Sequence, residues 1–283
     1  MLKDIEILSS AKVNLCLNVE DKDDIGFHNL DSIVANIPIY DRIIITERND
    51  SEKNLSYVSG ESFTDDVSMR MVRLIDEIYG LPGVDIVIEK HIPVGAGLGG
   101  SSADAAGIAR GLKSLFNLGE IPNSILINVG SDIPCMYYGG NTRMQGRGEK
   151  ITPITLPSDL YVSLLVDRSI VLHTGRVFKR YDEIGGEAGS IDSFLKFLIP
   201  FNSLERAALD ICPKANALKE ILERSGYGRV VMTGSGSAFL GFTPDSTAFQ
   251  GISVLVENEA RNKGLLHYRF KISSGLKISK MKS

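Results

Sequence analysis

The sequence predicts an α+β fold divided into two domains. Strand-like and helix-like segments are mixed along the 283 residues, without the strict β–α–β order of a doubly wound sheet. The first 60 residues are largely strand-like, whereas the second half begins with one strand and continues with several helices. A turn-rich stretch, MQGRGEKITPITLPSD, separates the halves. We therefore expect a boundary near residue 157, between domains of residues 1–157 and 158–283.

Four apolar, β-branched segments predict short strands at the start of the first domain: IEIL, VNLCLNV, SIVANIPI and RIIITE. A helix is expected next, because Val67, Met71, Ile75 and Ile78 recur at helical spacing and Gly80 ends the pattern. The segment VDIVIEK predicts another strand. It leads through a glycine cluster into SADAAGIARGLKSLF, a predicted helix with its apolar side chains on one face.

The second domain is expected to begin with the strand LYVSLLVD and to end with the strand LHYRFKI. The segments SLERAALD and KANALKEILERSG, which lie between these strands, have the spacing of amphipathic helices. The segment RVVMTGSGSAFLGF is typical of two strands joined by a close glycine turn.

The composition indicates a folded chain and disfavours several classes of partner. Hydrophobic residues make up 43% of the chain and charged residues 23%, which is sufficient for a packed core. The net charge of −4 gives no basic footprint for nucleic acid. The sequence has no apolar run of about 18 residues, so no membrane span is expected. The N-terminal MLKDIEILSS lacks the features of a signal peptide. The cysteines Cys16, Cys135 and Cys212 are odd in number and far apart in the sequence, as in a chain with reduced thiols. Both observations favour the cytoplasm.

The most informative segment, KHIPVGAGLGGSSADAAG, places four glycines before a predicted helix. Glycines let backbone N–H groups turn towards an anion, and a helix start adds its free N–H groups and the positive end of its dipole. The segment therefore predicts a cradle for nucleotide phosphates, in which Ser101 or Ser102 caps the helix or offers a hydroxyl to Mg²⁺. The predicted cradle consists of Pro93, Val94, Gly95, Ala96, Gly97, Leu98, Gly99, Gly100, Ser101, Ser102 and Ala103.

Other interpretations of the glycines are weaker. An ordinary serine-capped turn does not need four glycines. A Walker A loop requires G-K-[ST], which the segment lacks. Gly95, Gly97 and Gly100 satisfy G-x-G-x-x-G, but the acidic residue at the expected distance, Glu120, does not end a strand-like segment.

Three blocks of the sequence resemble the GHMP kinases: SSAKVNLCLNV, PVGAGLGGSSADAA and MTGSGSAFLGF. Their order and spacing also match, and the resemblance covers essentially the whole chain. It implies the two-domain GHMP kinase fold, with an N-terminal ribosomal-protein-S5-like α/β domain and a C-terminal ferredoxin-like α+β domain. It also implies an ATP-dependent kinase, with Mg²⁺ bound together with ATP and the third block close to the phosphates.

Within this family the chain resembles the branch that phosphorylates the 2-hydroxyl of 4-diphosphocytidyl-2-C-methyl-D-erythritol in non-mevalonate isoprenoid synthesis. The segments that carry this resemblance are AKVNL, GFHNLDSI, GSDIP, GRGEKITPI and FNSLE. The implied partner is a small molecule, a polyol linked to cytidine diphosphate. Kinases of the homoserine or mevalonate type and a non-catalytic nucleotide-binding regulator remain alternatives, although a pure binder does not need a catalytic base.

The resemblance implies that Asp132 of GSDIP is the catalytic base and that Lys12 of AKVNL pairs with it. A carboxylate beside the acceptor hydroxyl can take its proton, and a nearby ammonium can stabilise the charge on the transferring phosphoryl group. The alternative for Asp132 is an N-cap, since Ser-Asp-Ile-Pro is also a favourable helix start. Taken alone, Lys12 is expected to be a surface lysine.

The resemblance also implies an acceptor site, in which His28 hydrogen-bonds the cytosine and Phe27 and Phe178 stack on it. Asn14 matches a substrate-contacting asparagine, and Thr174 a threonine near the cytidine end. Ordinary packing is the alternative for the aromatic side chains, and a satisfied strand-edge amide is the alternative for Asn14.

The chain departs from the family pattern at a few positions. The family pattern is R-x-D-G-Y-H, and this chain has Asp23-Asp24-Ile25-Gly26-Phe27-His28 in its place. The arginine and the aspartate before the glycine are therefore missing, and Phe27 replaces a tyrosine. Asp66 stands where the family has an asparagine near the adenine, and Ser101 and Ala103 alter the usual GLGGGSS. The remaining histidines, His91, His173 and His267, lack metal-ligand spacing, so no metal other than the Mg²⁺ of ATP is implied.

Overall fold

The structure is a computed structural model that describes residues 2–24, 26–60 and 66–275. It contains helices and two separate β-sheets, which confirms the predicted α+β class. The first sheet is built from residues up to Pro153 and the second from Leu160 onwards. The division into domains at residue 157 stays a prediction.

The first sheet has the strand order β3-β4-β2-β5-β6, with β1 paired to β2. Among the strands of this sheet that the structure describes, β3 and β4 alone pair in parallel. Its strands are β1 Asp4–Lys22, β2 His28–Glu47, β3 Lys53–Tyr57, β4 Val84–Glu89, β5 Asn141–Gly146 and β6 Lys150–Pro153, and the helices of this part are α1 Val67–Tyr79, α2 Gly100–Leu115, α3 Asn123–Val129 and α4 Ile133–Tyr138.

The second sheet has the order β10-β7-β9-β8 and is antiparallel. Its strands are β7 Leu160–Val166, β8 Val230–Met232, β9 Phe239–Thr243 and β10 Leu266–Ile272, and the helices are α5 Thr174–Ile184, α6 Ile191–Phe197, α7 Glu205–Ile211, α8 Asn216–Arg224 and α9 Ser246–Lys263. Within the described residues, no helix is long and apolar enough to span a bilayer.

Three local predictions about the first sheet are wrong. The four short strands expected at the N-terminus are two continuous strands of 19 and 20 residues, because β-bulges at Ser10/Ala11 and Asn14/Cys16 keep the strands paired through turn-like residues. Part of the stretch expected to be turn-rich forms the hairpin of β5 and β6. β3 was not expected, because KNLSY has little apolar character.

The helix after the glycine cluster is confirmed and packs tightly on the first sheet. A Cβ at Gly107 would lie 2.6 Å from Ile43 Cδ1, and a Cβ at Gly111 would lie 2.6 Å from Ile45 Cδ1. These glycines therefore let α2 approach β2 closely. A cluster of buried apolar side chains surrounds this contact and extends to the second sheet through Leu160 and Leu240. The start of α2, where the phosphate cradle is expected, is thus fixed to the core.

Candidate active site

The predicted phosphate cradle is a loop between β4 and α2. Gly95, Gly97 and Gly99 have φ angles of 67°, 78° and 71°, in the left-handed region that side chains disfavour. Gly99 occupies the N-cap position of α2, and among the described residues no side chain caps this helix. The expected capping by Ser101 or Ser102 is therefore wrong. The first N–H groups of α2 are left for another acceptor, which is the arrangement that a phosphate requires.

A second glycine turn, residues 233–237, packs directly against this loop. A Cβ at Gly97 would lie 2.2 Å from the carbonyl oxygen of Thr233, and a Cβ at Gly234 would lie 2.8 Å from the carbonyl oxygen of Gly97. The backbone N–H of Ala238 donates a hydrogen bond of 3.2 Å to the oxygen of Ala96. The sequence singled out the GSGS run, but its motif alone did not reveal Thr233 and Gly234 as direct neighbours of the loop.

Lys12 and Asp132 form an ion pair beside the two glycine turns. Lys12 Nζ lies 3.1 Å from Asp132 Oδ2, although the residues are far apart in the sequence. Lys12 is 3% exposed, so the expectation of a surface lysine is wrong. Asp132 occupies the N-cap position of α4, as the alternative interpretation expected, but among the described residues its side chain makes no capping hydrogen bond, so capping does not account for this carboxylate. The carboxylate side chain stays 27% exposed and accessible to a ligand.

Asn14 extends this polar cluster along β1. Its Oδ1 accepts a hydrogen bond of 2.7 Å from Lys12 Nζ, and its Nδ2 donates one of 2.8 Å to Ser32 Oγ. Its backbone N–H donates to Thr233 Oγ1 at 2.9 Å. Lys12 and Asn14 share a strand face because they are two residues apart. Asn14 therefore fixes the Lys12 ammonium relative to the second glycine turn.

A buried charged cluster lies under the phosphate loop and was not found from the sequence. Lys90 Nζ pairs with the carboxylates of Asp41 and Asp104, and Asp41 Oδ1 accepts hydrogen bonds from the backbone N–H groups of His91 and Ile92. Burial raises the pKa of Asp104 to about 8, against the opposing effect of Lys90. Asp104 Oδ1 has no hydrogen-bond partner in the described part of the chain. The cluster ties β2, the end of β4 and α2 together where the loop begins.

The predicted acceptor-site residues His28 and Phe178 are in contact. Their ring centroids are 5.7 Å apart at an interplanar angle of 29°, and the ring of Tyr181 meets His28 edge-on. An open cleft of about 720 Å³ lies beside them, lined by Val19, Glu20, Asp21, Lys22, His28, Asn29 and Tyr181. His28 is the first residue of β2.

Both ring nitrogens of His28 already contact protein oxygen atoms, from Glu20 and Asp182. The expected hydrogen bond from His28 to cytosine stays a prediction, and it requires one of these contacts to be replaced. Sequence reasoning missed Tyr181 and Asp182, which follow Phe178 on α5. Their spacing from Phe178, three and four residues along a helix, is the signal that could have indicated them.

Phe27 and Thr174 lie on different sides of the site. Phe27 is 61% exposed, and its ring lies 5.9 Å from the guanidinium of Arg147. Thr174 begins α5, and its hydroxyl lies 2.9 Å from the hydroxyl of Ser235 in the second glycine turn. Since Thr174 and Phe178 are four residues apart on one helix, α5 connects the phosphate end of the site to the acceptor end.

The β5–β6 turn connects Phe27 to the segment of Asp132. Gly148 has a φ of 114°, and a Cβ there would lie 2.0 Å from the carbonyl oxygen of Ser131. Arg147, the residue before Gly148, lies near Phe27, so Phe27 is adjacent to the segment that carries Asp132.

Two of the positions at which the chain departs from the family pattern, Asp66 and Asp23, make local hydrogen bonds. Asp66 caps α1 through a 2.8 Å hydrogen bond from the N–H of Ser68 and accepts another of 2.8 Å from the Tyr57 hydroxyl. Asp23 accepts a hydrogen bond from the N–H of Phe27. Ile25 lies outside the described residues.

Metal ligation and cysteine chemistry have little support in the described residues. Within them, no group of three or more His, Cys, Asp or Glu side chains is arranged to hold a metal ion. Cys16 and Cys135 are buried, and burial raises the pKa of both thiols. Protonated, enclosed thiols are poor nucleophiles.

Comparison with known proteins identifies the family of this chain. The family described as "GHMP kinases N terminal domain" matches residues 66–140, which contain the phosphate loop and Asp132. The 4-diphosphocytidyl-2-C-methyl-D-erythritol kinase of Bacillus subtilis is 34% identical over 86% of this chain and 89% of its own length. The enzyme of the same name from Caldicellulosiruptor saccharolyticus is 32% identical over 82% of this chain and 85% of its own.

Solved structures agree with this assignment. A crystal structure of 4-(cytidine 5'-diphospho)-2C-methyl-D-erythritol kinase has a TM-score of 0.78 and 27% identity, over 96% of this chain and 100% of the other. Homoserine kinase from Cytophaga hutchinsonii has a TM-score of 0.68 at 13% identity, over 96% of this chain and 95% of its own, and shows the shared fold alone. With relatives above 30% identity that match most of its length, this chain belongs to the 4-diphosphocytidyl-2-C-methyl-D-erythritol kinase family of the GHMP kinases.

Proposed function

We propose that this kinase transfers the γ-phosphoryl group of ATP to the 2-hydroxyl of 4-diphosphocytidyl-2-C-methyl-D-erythritol, in non-mevalonate isoprenoid synthesis. The observation that carries the proposal is the Lys12–Asp132 ion pair of 3.1 Å beside the paired glycine turns. The relatives that match most of the chain carry this enzyme's name, which favours this acceptor over homoserine or a mevalonate. A pure nucleotide binder has no need for the pair.

The phosphate end of the site is the loop of residues 93–103. Its fit to ATP rests on the uncapped start of α2 and on three glycines with positive φ, which direct N–H groups towards an anion. The hydroxyls of Ser101 and Ser102 are the ligands that this segment would offer to Mg²⁺ bound with ATP, and such an ion would neutralise phosphate charge. The buried Lys90 cluster holds the loop in place from below.

Asp132 and Lys12 divide the chemical work. Asp132, whose carboxylate is partly exposed, accepts the proton of the acceptor hydroxyl. The ammonium of Lys12 lies beside that carboxylate, and a Cβ at Gly234 would lie 3.3 Å from Lys12 Nζ. It is thus placed between the base and the second glycine turn, where it stabilises charge on the transferring phosphoryl group. The hydrogen bond to Asn14 fixes its position.

The acceptor end is formed by His28, Phe27 and Phe178, beside the open cleft. Stacking needs only a π face, so Phe27 can replace the tyrosine of the family pattern. Thr174 and Asn14 contact the second glycine turn through Ser235 and Thr233, and we assign both residues to acceptor binding, Thr174 near the cytidine end.

Several further parts of the proposal concern the whole chain. We place the protein in the cytoplasm and divide it into domains of residues 1–157 and 158–283. Its partner is the small-molecule acceptor, and we expect neither nucleic acid nor a membrane as a partner, in line with the net charge of −4.

The experiment is ADP release measured with 4-diphosphocytidyl-2-C-methyl-D-erythritol, homoserine and mevalonate as acceptors. We expect turnover with the first alone. Asp210→Asn, which removes a surface carboxylate paired with Arg180, is the control and should turn over normally. Turnover with homoserine or mevalonate, and none with the cytidylyl acceptor, would contradict the proposal.

A further inference from the structure

The imidazole of His28 is held by protein oxygen atoms at both ring nitrogens. Nδ1 lies 3.0 Å from the backbone carbonyl oxygen of Glu20, and Nε2 lies 2.6 Å from Oδ1 of Asp182. A carbonyl and an ionised carboxylate only accept hydrogen bonds, and a neutral imidazole has one N–H, so in the neutral form the ring donates to one of these two oxygen atoms. The side chain of His28 is 14% exposed, which leaves the ring little freedom to turn.

Asp182 contacts His28 from a distant part of the chain. It lies on α5, whereas His28 begins β2. Its second carboxylate oxygen, Oδ2, lies 2.7 Å from Nζ of Lys22 at the end of β1. Hydrogen bonds from Lys22 and His28 lower the pKa of Asp182, so the carboxylate is ionised at neutral pH. One side chain therefore connects β1, β2 and α5.

The packing around His28 depends on this contact. Phe178 stacks on the imidazole, and Tyr181 meets it edge-on, so two rings of α5 fit one orientation of the His28 ring. The hydrogen bond at one ring nitrogen normally determines how an imidazole is presented at the other nitrogen and along its edges. Asp182 is thus the polar contact from α5 that sets the plane of the ring.

We propose that Asp182 is a positioning residue for the base-binding end of the acceptor site. It fixes the ring of His28 through Nε2 and thereby sets how this side chain is presented to the pyrimidine base. This inference rests on the proposed function, since it concerns the cytidylyl end of that acceptor. Asp182 takes no part in phosphoryl transfer, so its effect is confined to acceptor binding.

The first test compares Asp182→Ala and Asp182→Asn with the control Asp210→Asn. The carboxylate that is lost in the control pairs with Arg180, which lies on α5 together with Asp182. ADP release is measured against the concentrations of acceptor and ATP. We expect the acceptor KM of Asp182→Ala to rise about tenfold to 100-fold, the effect of losing a charged hydrogen bond. The kcat and the KM for ATP should not change. The Asn variant keeps the shape and an acceptor oxygen, so its KM should rise less.

The decisive test is a double-mutant cycle with His28→Phe, which keeps an aromatic ring and removes both nitrogens. If Asp182 acts through His28, Asp182→Ala should not raise the acceptor KM further in the His28→Phe background. An equal rise in both backgrounds, or an unchanged KM in Asp182→Ala, overturns the inference alone. Failure of the unmodified chain to phosphorylate the cytidylyl acceptor overturns the proposed function, and this inference with it.

Discussion

Gly97 is the position where the phosphate loop and the second glycine turn are closest. Gly97→Ala introduces a Cβ 2.2 Å from the backbone oxygen of Thr233, so the two turns must separate by about 1 Å to restore ordinary contact. A displacement of about 1 Å at a reacting site can cost on the order of 10² in rate. We therefore expect kcat/KM for ATP to fall about 100-fold.

Gly264→Ala is the matched control for this change. Gly97 and Gly264 have φ angles of 78° and 66°, so both variants have a similar left-handed strain of about 1–2 kcal/mol. Gly264 ends α9, away from the two glycine turns, and a Cβ there would meet no heavy atom within 4 Å. The contact between the two turns is therefore unchanged in this variant.

The assay is ADP release as a function of ATP concentration, with thermal unfolding to measure stability. Both variants should lose stability through the left-handed strain, but only Gly97→Ala should lose most of its kcat/KM for ATP. Equal kcat/KM for ATP in the two variants would refute the reasoning that contact between the turns positions the phosphates.

Three further changes test other parts of the site. His28→Ala should raise the KM for the cytidylyl acceptor and leave the KM for ATP unchanged; an equal loss for both substrates would indicate general damage. Lys90→Met leaves the buried carboxylates of Asp41 and Asp104 without their cation. We therefore expect the free energy of unfolding, measured with urea, to fall by about 3–5 kcal/mol. A fall of less than about 1 kcal/mol would contradict a stabilising role of the cluster. Asp104→Asn tests the raised pKa of Asp104, about 8. A carboxyl with a raised pKa stabilises the folded state at low pH, and this stabilisation is lost as the pH rises towards 8. Asparagine does not titrate, so between about pH 5 and 9 the Tm of the variant should fall less than the Tm of the wild type. Parallel Tm profiles would contradict the assignment.

Local sequence patterns predicted the elements that carry strong periodicity or glycine signals. The helix from Val67 to Tyr79 and the helix that follows the phosphate loop were both expected, since apolar spacing determines which face a helix buries. The continuity of β1 and β2 was not, because bulges allow serine and proline to stay within a paired strand. A bulge depends on the partner strand, and this is not visible in a local window.

Prediction of the site has the same limit, because a local sequence window does not show contacts between distant elements. The glycine loop could be recognised from its own residues, because conformational freedom and a helix start are local properties. The burial of Lys12 could not, since it depends on Asp132 from another element to compensate its charge. The contact of Asp182 with His28 joins α5 to β2 and is equally non-local. Long-range pairs of this kind determine which charged residues become functional.

The central claim, that Asp132 accepts the proton of the acceptor hydroxyl beside Lys12, is tested most directly by the single-turnover rate of Asp132→Asn. This variant keeps the shape of the side chain and removes the proton acceptor. We predict a rate lower by about 10²–10⁴, with unchanged affinity for ATP and acceptor. Lys12→Met should also be slow, and the double variant should be little slower than the slower single variant, because the two groups act as a unit. A near-normal rate for Asp132→Asn would contradict the account.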